Sequence, residues 1–341
     1  MLKKQTILRI KNVYTANAFA MGGLHYVGAG SETEPDVRLF DMATATSEHL
    51  ENCPGGMMGI IPVPGMPQNL VSIMGLFPPF IGNEAGIYSH RKSPEGWETS
   101  KVLDLPFAHR CEFLPDDKRN ILVAATVSKY KKDPADWSRP GEIHTIPLEK
   151  IKDGHWQSQL ISSAITRNHG MCRSTVDGVE QLYISGSEGI FSVSLSPEGS
   201  FALVPLFEKE VSEMTLIDLD GDGNSELVTI EPFHGDTLNI YKRIGEEWKL
   251  KFRDSISFGH GLSSGYFNGD AVIMAGNRSN TLALESFTIN NLNKGSVNRT
   301  IIEENAGPTQ TQIFTFGDTD YILSANQRKH EVALYSGSLI D

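Results

Sequence analysis

Three histidines in three separated stretches share one local setting. His109 in PFAHRCEF, His169 in TRNHGMCRS and His260 in SFGHGLSSGYF each stand at the start of a short apolar run bounded by turn residues. Gln68 in GMPQNLV, Glu213 in VSEMTL and Gln310 in GPTQTQI hold the matching place in other stretches. Imidazoles converging with a carboxylate or amide make a site for zinc, manganese or iron. Histidines near neutrality also serve as general acid and base, with arginine or lysine stabilising an anion or enolate. One such histidine alone reads as a polar plug, whereas three at equivalent places point to chemistry. His25, His49, His90, His144 and His155 fall on strands or outer turns and read as structural. Cys111 and Cys172 follow two of the key histidines and read as strand packing, because no base position is fixed beside them.

A second constellation is the acidic loop in LIDLDGDGNSELVTI, residues 216–230. Asp218, Asp220, Asp222, Asn224 and Glu226 offer oxygens at every second position, a spacing that wraps a hard cation such as calcium. A helix–loop–helix calcium site would need glutamate at loop position twelve, where Thr229 stands, and the flanks are strand-like instead. The alternative reading is a hydrated Asp-Gly turn with no ion.

Both constellations need a scaffold, and the loop's own hairpin supplies it. Relatives of that hairpin begin at Leu70, Cys111, Cys172, Ser263 and Thr311, each a strand, a turn, a strand ending in small residues, a polar loop and a third strand. Recurrence about every 45–55 residues is the period of four-stranded propeller blades. Units beginning near Ala16, Gly65, Ala108, Asn168, Ser212, Gly259 and Thr309 make an all-β, seven-bladed β-propeller, a single domain over residues 1–341. The last unit has three strands, so the N-terminal strand is expected to close the ring by pairing Gln5–Val13 with Glu331–Ser336. A pair of β-sandwiches or a six-bladed ring is the competing architecture.

In a propeller the histidine-bearing strand starts and the loops joining second to third strands gather on one face. Those loops carry Glu84, Lys129, Glu188, His234, Arg278, Lys329 and His330. The expected site therefore has His109, His169 and His260 as transition-metal ligands, with Glu188 completing the shell. His234, His330 and Lys329 are the expected proton-transfer groups, and Gln68, Glu84, Arg278 and Gln310 the substrate contacts. Phe77, Phe80, Tyr130 and Phe233 offer aromatic faces for a sugar, or else pack blade against blade.

The segment DLDGDGNSEL resembles the acidic loop of FG-GAP and VCBS-type propeller repeats, a likeness that implies calcium between the inner two strands of the fifth blade. FNGDAV and FGDTDY are reduced copies that have lost most of the ligands. The blade style, with HRCEF and HGMCRS, resembles the propeller part of aldos-2-ulose dehydratase over most of the chain, without that family's cupin-like domain. Seven-bladed polysaccharide lyases, oligogalacturonate lyase among them, are a second likeness. Both imply proton abstraction next to a carbonyl or carboxylate, enolate stabilisation by a metal, and loss of a β-substituent.

Composition narrows the partners. A net charge of −12 with no basic cluster longer than KYKK argues against nucleic acid. No apolar stretch approaches the roughly 20 residues that span a bilayer. Three unpatterned cysteines and an N-terminus without a signal-peptide core suit a cytoplasmic protein. The expectation is a metal-dependent lyase or isomerase of a small sugar or keto-sugar. The alternative is a non-catalytic propeller that binds a glycan or protein.

Overall fold

The computed structural model describes residues 1–115, 120–176, 179–195 and 201–339. Seven four-stranded antiparallel sheets form the blades of a propeller. Their innermost strands are Val13–Met21, Gly59–Pro62, Ala108–Pro115, Gly170–Val176, Glu213–Ile217, Gly259–Phe267 and Pro308–Phe316, numbered here as blades 1 to 7. In blade 7 the N-terminal strand Leu2–Arg9 pairs with Glu331–Gly337, placing Gln5 opposite Leu334. This pairing leaves no open sheet edge between first and last blade.

Two boundaries differ from the sequence reading. The closing strand ends at Arg9, and Val13 instead opens blade 1. Blade 2 starts at Gly59, so residues 63–68 form its first turn, before the strand Asn69–Met74. Gln68 therefore does not hold the inner-strand start; Met58 precedes that strand. The proline-rich segment IPVPGMPQNL hides the short first strand, because Pro62 and Pro64 read as turn rather than ladder.

Burial follows the radial position of each strand. The second strand of blade 3, Asn120–Thr126, is buried at every position from Ile121 to Thr126, because both its faces lie against neighbouring blades. The outermost strand Thr46–His49 is exposed throughout and polar. The core is a series of interblade layers, such as Val228 and Ile230 of blade 5 against Ile273 and Ala275 of blade 6. Among the described residues no helix is long and apolar enough to cross a membrane.

Candidate metal centre

The sequence aims side chains at the channel axis by adding one or two residues at the start of inner strands. Pairing slips across His109 in blade 3, across His260 and Gly261 in blade 6, across Tyr14 in blade 1, and across Thr309 and Gln310 in blade 7. An extra residue in one strand turns its side chain out of the sheet. In blade 4, His169 precedes the strand and its N–H donates to the Ser185 carbonyl at 3.0 Å. Glu213 opens blade 5 in regular register opposite Ile230.

The imidazoles of different blades meet at this level. Ring centroids of His169 lie 4.4 Å from His109, 4.8 Å from His234 and 5.2 Å from His260. One ligand nitrogen from each of His169, His234 and His260 falls within 4.8 Å of the others. His234 Nε2 is 3.1 Å from His169 Nε2. A tetrahedral ion with bonds of about 2.0–2.1 Å separates its ligands by about 3.3 Å, so this spacing fits zinc. His109 stacks behind His169, and neither of its ring nitrogens has a hydrogen-bond partner although the side chain is buried.

Proton placement favours the nitrogens that converge. His260 Nδ1 lies 2.8 Å from the Thr309 carbonyl, to which only an N–H can donate, leaving the Nε2 lone pair to accept from the Tyr14 hydroxyl at 2.8 Å. His169 Nδ1 lies 2.8 Å from Glu213 Oε1, off the line of a hydrogen bond, a charge contact that favours the proton on Nδ1 and leaves Nε2 for His234 or a metal. Burial pushes His109 and His260 well below the usual imidazole range, and takes His234 down to about 2. Neutral imidazoles are the form that binds metal. Burial alone would raise Glu213, but Arg110, 3.0 Å away, and His169 outweigh it and hold the carboxylate below its usual range. Arg110 also donates to the Met58 carbonyl at 3.2 Å, so the Arg110–Glu213 pair spans the channel from blade 3 to blade 5.

Over the loop face an aromatic cluster covers part of the centre, with His234 half-buried beneath it and Phe258 exposed. Phe233 stacks on His234 at 4.1 Å, with Phe80 at 6.1 Å and Phe258 at 4.8 Å. Trp137 packs on Phe80 and Phe233, and Lys131 Nζ sits 3.2 Å above its ring centroid. His234, Phe80 and Phe258 have φ values of 48°, 72° and 52°, a left-handed region that side chains enter only under constraint.

Of the remaining expected residues, Arg278 and Gln310 lie beside the centre and the others lie elsewhere. Glu188 is exposed and accepts from the Thr166 N–H at 2.7 Å. Lys329 pairs with Glu303, and the exposed His330 accepts from the Asn12 N–H at 3.0 Å. Glu84 is exposed at the rim, and Lys129 pairs with Glu142 at 2.8 Å. Arg278 bonds Gln327 and lies 5.8 Å over the Tyr14 ring. Gln310 lines the channel, and its Oε1 accepts from the Ala16 N–H at 3.1 Å. Tyr130 is exposed, while His90 is buried between Ser72 and Thr99. Sequence reading missed Tyr14 and Arg110. Tyr14 stands two residues before Ala16, the first unit's start by sequence, and the observed start at Val13 aligns it with the histidines.

Glu213 acts on the centre by holding His169. Replacing it with glutamine is expected to lower zinc affinity about 10–100-fold, the usual cost of losing a carboxylate behind a ligating histidine. Aspartate should restore part of that loss. Equal zinc affinity in the two variants and the wild type would remove Glu213 from this role.

The acidic loop is a separate group. Ligand oxygens of Asp218, Asp220 and Asp222 lie within 4.8 Å of one another. Asp218 accepts from the N–H groups of Gly221 and Gly223, each at 2.8 Å. The Lys242 ammonium sits among the carboxylates, 2.5 Å from Asp220, 2.8 Å from Asp222 and 3.1 Å from the buried Glu226. The oxygen set suits calcium, but an ion must displace this ammonium. In wild type, calcium is therefore expected to move the melting temperature by less than about 1 °C. In Lys242→Met, 5 mM calcium should raise it by about 3–5 °C, given a dissociation constant of about 10⁻⁴ M. Identical calcium responses in the two proteins would show that Lys242 does not occupy the ion's place.

No family model matches the chain, and no curated protein matches it. Solved structures do. The β-propeller domain of Cps50 (Swd1) from Myceliophteria thermophila aligns at TM-score 0.59 and 8% identity, over 97% of this chain and 98% of that one. A protein assigned as a 6-phosphogluconolactonase from Bacteroides uniformis aligns at TM-score 0.58 and 12% identity, over 96% and 92%. The extracellular domain of the one-component system BT4673 from B. thetaiotaomicron aligns at TM-score 0.57 and 13% identity, over 96% of this chain and 40% of that one. At these identities the likeness is one of fold, and the chain is a seven-bladed β-propeller.

Proposed function

We propose that this propeller is a metal-dependent lyase or isomerase acting on a small sugar or keto-sugar, of FG-GAP/VCBS type. The observation that carries the reading is the approach of His169, His234 and His260 nitrogens to within 4.8 Å. A divalent transition metal held by these three residues would supply Lewis acidity toward a carbonyl oxygen next to an acidic C–H bond. The chain's own groups handle the proton. For His260 Nε2 to serve as a ligand it must release the Tyr14 hydroxyl, which is then free to bond a substrate oxygen. Burial keeps that hydroxyl protonated, raising it above the usual phenol range. His109 packs beside His169 and, held neutral by burial, supports that ring rather than carrying a proton. Lys329 and His330 are not used, because their contacts are with Glu303 and Asn12. The aromatic rings over the loop face limit solvent access to the buried His169 and His260, which strengthens charge interactions there. The three free cysteines fit a reducing cytoplasm.

The test is zinc-dependent exchange of the proton next to the carbonyl of D-fructose in heavy water, followed by NMR. Exchange that requires both zinc and His169 supports the reading. Zinc binding without exchange on this or other keto-sugars would leave a sugar-binding propeller without catalysis.

A further inference from the structure

The channel below the histidines opens on the face opposite the aromatic cluster. There it widens to a cavity of about 560 Å³ among the turns, lined by Asn17, Phe19, Met66, Glu112, Arg173 and Gln312. A second cavity of about 190 Å³ shares Asn17, Ile61 and Glu112 with the first and reaches His260, Glu213 and Gln310. Together they lead from solvent to the underside of the metal centre, and their size is that of a small-molecule site.

The walls specify the ligand's chemistry. Each charged side chain that faces the channel is already paired, Arg110 with Glu213 at 3.0 Å, and Arg173 with Glu180 at 2.7 Å and with Glu112 at 3.9 Å. A charged ligand gains little there. The remaining polar groups are neutral and offer both donors and acceptors. Asn17 Oδ1 is buried without a hydrogen-bond partner, a cost that a donor on a ligand would remove. Gln310 also lines the cavity, and with its oxygen committed to the Ala16 N–H its amide nitrogen is the group left to donate. Alternating donors and acceptors with no net charge are what a chain of hydroxyls satisfies.

We propose that this channel binds a neutral, hydroxyl-rich molecule of mono- to disaccharide size, entering from the turn face rather than past the aromatic cluster. The choice of a sugar that the centre then acts on rests on the function proposed above, but the binding site itself does not require a metal.

Gly59 makes the site testable. It lines the inner cavity, and a Cβ built there meets nothing within 4 Å, so a larger side chain projects into the channel without a clash at its root. Saturation-transfer NMR on chelator-treated, zinc-free protein would use methyl α-D-glucopyranoside, D-fructose and D-galacturonate as probes. Transfer to the two neutral sugars, reduced at least about fivefold in Gly59→Leu and in Asn17→Leu, is expected, with the uronate weaker. Circular dichroism checks that each variant folds. Ala20→Trp, at an exposed position on the outer mouth, replaces either one that does not. No transfer to either neutral sugar, equal transfer in folded Gly59→Leu, or a preference for the uronate would each overturn the proposal. Zinc content of Gly59→Leu, measured in parallel, keeps failure here separate from failure of the metal reading.

Discussion

Replacing His169 with alanine is expected to abolish zinc binding, and with it any zinc-dependent turnover, while leaving the circular dichroism spectrum of the propeller unchanged. His169 is the hub of the centre: its ring touches His109, His234 and His260, and its Nδ1 is held by Glu213. Loss of a supporting carboxylate costs about 10–100-fold in metal affinity, so loss of the ligand itself should exceed about 100-fold. The fold should survive because the interblade layers holding blades 3 to 6 together contain none of the four rings. Alanine also leaves Glu213 facing a gap, but Arg110 still pairs with it. Zinc titration and circular dichroism on purified variant decide the matter. Stoichiometric zinc at wild-type affinity would remove His169 from the ligand set.

The second large effect is acid lability of the metal-free protein. His109 and His260 are held well below the usual imidazole range by burial, His234 at about 2 and His90 at about 3. In the unfolded chain each takes up a proton near pH 6.5. Between that value and the depressed folded values the unfolded state binds more protons, so stability is full above pH 6.5 and falls as pH drops through that window. Each such group contributes about 1.4 kcal/mol per pH unit, and four acting together contribute several kcal/mol, comparable with the whole stability of many domains. Urea midpoints should therefore drop steeply from pH 6.5 to 5.5. Substituting His90 by glutamine should remove about one quarter of that slope. A midpoint flat across this interval would mean that these rings accept protons in the folded state.

Much of the architecture was legible because blades repeat a local pattern. The turn chemistry of Asp and Gly and the apolar second strands recur with every blade, and these are properties of neighbours in sequence. The count of seven came from the recurring units, and the closure by the N-terminal strand followed from a last unit one strand short. Pairing positions were displaced where prolines masked the strand Gly59–Pro62, and with it the start of blade 2. The three inner histidines were legible for the same reason: each stands within a residue or two of the start of an inner strand. His234 was legible only as a loop residue, since nothing in PFHGDT says that its ring folds back onto His169.

By itself, then, the sequence determined the blades, the ring and which residues start most of the inner strands, those of blades 1 and 2 excepted, because strand alternation and turns are short-range. Only the tertiary structure decided which of those residues meet. Closing the ring brings positions 14, 109, 169, 213 and 260 to one axis, and the bulges of single strands choose which side chains turn inward. It also decided that Lys242, some twenty residues from the acidic loop, lies among its carboxylates, and that the channel opens away from the aromatic cluster. Charge pairs and cavities of this kind depend on distances through space between distant segments, which local propensity does not encode.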